Sequence, residues 1–189
     1  MLIATMKQEI DNEQLYAQQE HELLSPSVEL AYYTVCCSSL NAEELNREGG
    51  IGELRRALSR CANNITAGTE EESLDAKIAL FATRCLTVSA QFPSCLPALL
   101  DEPGQLLEDF LRLLACELPS LQSAAVEATA AFAANGELSE LLFKRGFLPL
   151  LIEFLFKYDY TLEEGGIERD VSTNKQEQQN RLARSALHV

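Results

Sequence analysis

Histidine is almost absent from this sequence. The 189 residues contain two histidines, His21 and His188, and no tryptophan. Imidazole is the usual general base of nucleophilic enzymes and the commonest nitrogen ligand of metal ions. The six cysteines show no Cys-x-x-Cys spacing and no neighbouring histidine pair, which zinc sites generally need. We therefore predict no enzymatic activity, no catalytic residue, no bound metal and no cofactor.

Basic residues are also scarce. The chain has 15 Lys and Arg against 29 Asp and Glu, a formal net charge of −14. Such a chain repels phosphate backbones and anionic bilayers, because counterion release needs clustered cations. The composition thus disfavours a role on nucleic acids or lipid surfaces.

Long apolar runs are missing as well. The longest uncharged stretch, residues 85–100, is interrupted by Pro93 and Pro97 and is shorter than the roughly 20 residues that a membrane span needs. Lys7 interrupts any secretory apolar core at the N-terminus. We predict a cytoplasmic protein without direct membrane insertion, whose six cysteines are reduced and mostly buried.

The hydrophobic pattern predicts an all-α fold. Apolar residues recur at three- and four-residue steps, and no segment shows the two-residue alternation of a strand. We divide the chain into a polar leader or marginal helix (1–24), helical repeats (25–158), a polar loop (159–172) and a C-terminal helix (173–189).

Local signals place two early helix starts. Ser25-Pro26 is typical of an N-cap followed by proline at the first helical position, and the helix that follows is so apolar that we expect it to be buried on most sides. Asn41 with Glu44 three residues later resembles a capping box and predicts the next helix.

Three glycines indicate a repeat. Gly50, Gly104 and Gly146 each stand before an apolar helix, and they are 54 and 42 residues apart. Armadillo and HEAT units are roughly 40–47 residues long and bury their apolar faces by stacking. We predict an armadillo/HEAT-like stack of about three repeats; a non-repeating helical bundle is the alternative.

Three segments carry a resemblance to a known family. The segment YTVCCSSLNAEELNREGG (residues 33–50), with AQF (90–92) and YDYTLEE (158–164), resembles the large endosomal J-domain proteins of receptor-mediated endocytosis, in an armadillo-like part of their very long chains. The likeness covers roughly residues 26–189.

This resemblance implies a scaffold on early endosomes. Its parent chains would recruit the Hsc70 chaperone through a J domain and work with sorting nexins and the WASH complex in retromer-linked recycling. A J domain needs a His-Pro-Asp tripeptide, whereas His21 precedes Glu22 and His188 precedes Val189. Chaperone stimulation is therefore not expected from this segment, and protein binding is the family activity that the resemblance carries over.

A row of polar residues marks a candidate binding surface. In an armadillo stack the third helices line a groove, and the polar positions of those helices here are Arg56, Arg60, Asn63, Arg112 and Lys157. We predict that this groove binds an acidic or extended peptide of a partner protein. The alternatives are a solvated helix face on a structural spacer that binds nothing, and, third, a small helical enzyme.

Overall fold

The computed structural model describes residues 21–153. Over this range the chain forms helices and no strand. In chain order the helices are α1 (21–37), α2 (Ser39–Arg47), α3 (Gly50–Asn64), α4 (Leu74–Ser89), α5 (Leu96–Leu100), α6 (Pro103–Ala115), α7 (Pro119–Ala133), α8 (Gly136–Lys144) and α9 (147–153). The predicted all-α class is confirmed.

Units 1 and 2 repeat a pattern of long, short and long helices, and the described part of unit 3 begins with a long helix and a short one. Unit 1 comprises α1 to α3, unit 2 comprises α4 to α6, and unit 3 comprises α7 to α9 within the described range. The third helices of the three units begin at residues 50, 103 and 147, close to the three glycines that the sequence singled out. The predicted helical repeat stack is therefore confirmed.

Corresponding helices of successive units lie against each other. The contacts between corresponding helices join α4 to α7 and α3 to α6, and consecutive helices of neighbouring units also pack, α3 on α4 and α6 on α7. The Tyr32 ring of α1 lies 5.8 Å from the Phe81 ring of α4, centroid to centroid. The first long helices thus form one row, α1–α4–α7, and α3 and α6 form a second row.

The short helices are tied across units by hydrogen bonds. Asn46 at the end of α2 donates to the Ser94 carbonyl at 2.9 Å, and the Cys95 thiol donates to the Ala42 carbonyl at 3.6 Å. Arg55 of α3 donates to the carbonyls of Ala98 and Glu102, both at 2.9 Å. Arg55 thereby satisfies the Ala98 carbonyl in the last turn of α5, where carbonyls lack helical partners, and contacts the Glu102 carbonyl at the start of α6.

One continuous core follows from the periodicity. α3 buries Ile51, Leu54 and Leu58, which recur on one helix face, while α7 carries small alanines that allow close approach of α4 and α6. Among residues 21–153 no helix is both long enough and apolar enough to cross a bilayer.

Two local expectations are wrong in unit 1. Residues 21–25 are already helical, so Ser25 is no N-cap and Pro26 lies inside the helical stretch; nearby, the Ser27 hydroxyl donates to the Leu23 carbonyl at 2.8 Å. α2 is capped by Ser38, whose side chain accepts from the Leu40 N–H at 3.2 Å, instead of by Asn41.

The expected burial of α1 is also wrong. Its Leu30 and Tyr33 side chains are largely exposed, and Val28 and Val35 are the buried apolar side chains of its described part. Within residues 21–153, α1 packs on unit 2 through α4, and no further described unit lies on its other side. For the same reason Cys36 and Cys37 are exposed, whereas Cys61, Cys85 and Cys95 are buried as expected.

Candidate protein-binding groove

The candidate surface lies along the exposed sides of α3 and α6. Because α3 buries Ile51, Leu54 and Leu58, its periodicity turns Arg56, Arg60 and Asn63 outward. On α6 the buried face likewise leaves Arg112 exposed. Four of the five predicted residues are therefore accessible; the fifth, Lys157, lies outside the described residues.

The structure brings Asn63 and Arg112 together across the two helices. Arg112 Nη1 donates to Asn63 Oδ1 at 2.5 Å and to Asp109 Oδ1 at 3.2 Å. Asn63 Nδ2 in turn donates to the Ser59 carbonyl at 2.8 Å. This contact fixes the Arg112 guanidinium between α3 and α6.

Two clefts flank the Asn63–Arg112 contact. We call the two clefts and this contact, taken together, the groove. The first cleft, of about 300 Å³, is lined by Gly52, Arg55, Arg56, Ser59, Asp101, Glu102, Gln105, Leu106 and Asp109. The second cleft, of about 420 Å³, is lined by Ala62, Asn63, Ile65, Thr66, Ala67, Arg112, Ala115, Cys116 and Glu117. The groove therefore contains charges of both signs.

A buried carboxylate lies at the base of the first cleft. Asp109 is 1% exposed, and its burial raises the pKa of the carboxyl, an effect opposed by hydrogen bonds from Gln105 and Ser59 and by the Arg112 charge. Its oxygen accepts from Gln105 Nε2 at 3.0 Å. Asp109 thus positions Gln105 and Arg112 from beneath.

Asp109 is a residue of the groove that the sequence pattern did not single out, because a carboxylate beside Glu108 on a helix is usually solvated. The signal was available, since Asp109 stands three residues after Leu106 and four before Leu113, and both leucines are buried.

Arg56 and Arg60 contribute differently from each other. Arg56 forms an ion pair with Glu53, one turn away, and both side chains are exposed. Arg60 lines neither cleft. Its Nη2 lies 3.3 Å from His21 Nδ1 of α1, so Arg60 is engaged at the corner between α1 and α3.

That corner holds a cluster that sequence spacing could not reveal. The side-chain ligand atoms of His21, Cys61 and Asp75 lie within 4.8 Å of one another. Arg60 can only donate, so His21 Nδ1 accepts, while His21 Nε2 lies 3.1 Å from Asp75 Oδ1 without a hydrogen bond to it. Burial, with the nearby Asp75 carboxylate, raises the pKa of Cys61 to about 12. The Arg60 guanidinium against the His21 imidazole, with Cys61 and Asp75 beside it, suits a clamp that holds α1 against α3 and α4.

A comparison with known proteins shows what this chain is similar to. The chain is 33% identical over 165 residues to "DnaJ homolog subfamily C GRV2" of Arabidopsis thaliana, a match that covers 87% of this chain. The predicted resemblance to a large J-domain protein is confirmed. The chain spans 6% of the length of that DnaJ homolog, so the likeness concerns one segment of it. No family model matches the chain, and no solved structure matches it.

Proposed function

We propose that this DnaJ-homolog-like segment is a non-enzymatic scaffold that binds other proteins along the groove. The observation that supports the proposal is the Asn63–Arg112 contact with a cleft on each side of it. Together the clefts form an elongated polar surface on rigid helices, which suits an extended peptide better than a compact small molecule.

The charges of the groove refine the kind of partner. Arg55 and Arg56 line the first cleft beside Asp101 and Glu102, while Arg112 already contacts Asp109. A purely acidic peptide would meet these carboxylates as well as the arginines. A peptide with both acidic and polar side chains is therefore the better match, with charge steering its association.

The proposal is tested by reversing charge in the full chain. Arg56→Glu, in the first cleft, should reduce capture of the partners that the wild-type chain retains from cell extract. The matched control is Arg47→Glu, since Arg47 and Arg56 are both exposed arginines paired with a glutamate three residues earlier on the same helix. Each variant changes the net charge equally. Circular dichroism melting checks that both variants remain folded.

The control separates groove binding from general electrostatics. Equal loss of capture in both variants would mean that net charge alone drives the association. Unchanged capture in the Arg56→Glu variant would favour the structural spacer. Arg56 is already paired with Glu53 and Arg112 with Asp109 within the chain. These internal ion pairs are the observation that favours the spacer.

The proposal extends to the cellular setting through the resemblance. The chain would belong to a membrane-trafficking protein located peripherally on early endosomes, with sorting nexins and WASH complex components as partners in retromer-linked recycling. Hsc70 would join only through a J domain elsewhere. Capture by the full chain should therefore enrich sorting nexin or WASH components, and the chain itself should not stimulate Hsc70 ATP hydrolysis.

A further inference from the structure

Unit 3 presents an apolar surface that nothing in residues 21–153 covers. Phe143 of α8 and Leu148 and Ile152 of α9 are 70%, 48% and 42% exposed. Phe143 and Leu148 border a cleft of about 140 Å³, and Ile152 lies one turn after Leu148 on α9; the cleft is lined by Thr129, Ala133, Ser139, Leu142, Phe143, Phe147, Leu148 and Leu151. We call these three exposed side chains and this cleft the terminal face. Contiguous apolar surface of this kind usually marks a contact site.

The earlier units show what covers such a face. The first long helix of unit 2, α4, lies on the first long helix of unit 1, with Phe81 against Tyr32 and Tyr33. The first long helix of unit 3, α7, lies on α4 in the same way. The stacking rule therefore places one more long helix on unit 3.

We propose that residues 173–189 of this chain form that helix and pack on the terminal face. The segment has 17 residues, against 16 in α4 and 15 in α7. Its Leu182, Ala183, Ala186 and Leu187 follow three- and four-residue steps, which puts them on one side of a helix. Small alanines among leucines match the composition with which α7 packs on α4.

The length of the intervening chain and the charges of the two segments agree with this placement. Residues 159–172 can span about 45 Å when extended, at roughly 3.3 Å per residue, about twice the length of a 15-residue helix. Residues 173–189 carry Lys175, Arg181 and Arg184 against Glu177. On α8, Lys144 is paired with Glu140, and Arg145, just after that helix, is paired with Glu108. The exposed Glu137 of α8 and Glu153 of α9 therefore give this side a negative balance, opposite to that of residues 173–189.

The test uses hydrogen exchange of the full chain, measured by mass spectrometry. Leu182→Asp with Leu187→Asp should speed amide exchange in residues 138–152 by about tenfold, because local opening becomes easier when the covering helix leaves. The matched control, Ser185→Asp with His188→Asp, adds the same charge to the opposite side of the helix and should change exchange less than about twofold.

A reciprocal variant and the molecular mass complete the test. Phe143→Ser replaces an exposed side chain, so the fold survives, and it should speed exchange in residues 180–189. Unchanged exchange in residues 138–152 of the Leu182→Asp, Leu187→Asp variant overturns the proposal. So does a dimeric mass by light scattering that depends on Phe143, since a second copy would then cover the terminal face.

Discussion

The rings of Phe110 and Phe132 lie 5.3 Å apart, centroid to centroid, with 34° between their planes. Phe110 belongs to α6 and Phe132 to α7, and both side chains are fully buried. This tilted pair joins unit 2 to unit 3, since α6 and α7 are consecutive helices of different units. Aromatic pairs of this geometry contribute about 0.5–1.5 kcal/mol beyond the burial of their area.

Truncating this pair should weaken the whole stack. Phe132→Ala is expected to lower the free energy of unfolding by about 3–5 kcal/mol, because it leaves a cavity between α6 and α7. Urea unfolding followed by circular dichroism measures the change. Leu40→Ala, at an exposed leucine of α2, is the control and should stay within about 0.5 kcal/mol. A small loss in Phe132→Ala would show that the two units unfold independently.

Two glycines at the start of α3 should respond oppositely to alanine. Gly49 has a φ of +79°, which a Cβ disfavours, so Gly49→Ala should destabilise the protein by about 1 kcal/mol. Gly52 lies inside α3, and a Cβ there would meet nothing within 4 Å. Gly52→Ala should therefore stabilise by about 0.4–1 kcal/mol. Thermal melting compares the two; effects of the same sign would contradict the backbone geometry.

The order of helices was predictable because its signals are local. Glycines, prolines and apolar steps of three and four residues located α3, α6 and α9 and the buried face of each. The same periodicity correctly placed Arg56 and Asn63 outward. The exposure of Leu30 was not predictable, since a sequence shows how apolar a helix is and not how many neighbours it has.

Contacts between residues that are far apart in the sequence could not be predicted either. Asn63 and Arg112 are 49 positions apart, and their meeting depends on how α3 and α6 pack. The clamp at His21 joins residues from α1, α3 and α4 with no spacing that resembles a motif. Such sites follow from the stacking of whole units, which periodicity alone does not specify.

The cysteines should divide into fast and slow classes. Cys36 and Cys37 are exposed, whereas burial raises the pKa of Cys61 and of Cys85 to about 12 and also raises that of Cys95 and Cys116. Thiolate is the reactive form, so a disulfide reagent at pH 8 should label two thiols rapidly in the native chain. Unfolding in guanidinium should release all six. Four or more rapid thiols in the native chain would contradict the buried core.

Asp109 should make stability depend on pH in a defined direction. Burial raises the pKa of its carboxyl in the folded state above the value of about 3.9 in the unfolded chain. Between these two pKa values the folded protein binds more protons, so the free energy of unfolding falls as pH rises through that window. Above the window, the buried charge remains a constant cost.

Asp109→Asn removes that cost while keeping the shape of the side chain. Its oxygen can still accept from Gln105 and Arg112, and its amide can donate to the Ser59 hydroxyl, which also accepts from Gln105. The variant should match the wild type near pH 3.5 and be more stable at pH 7, as urea unfolding at several pH values would show. Glu117→Gln, an exposed change of equal charge, corrects for the net charge of the chain. A variant that is less stable at pH 7 would mean that the ion pair with Arg112 outweighs the desolvation of Asp109.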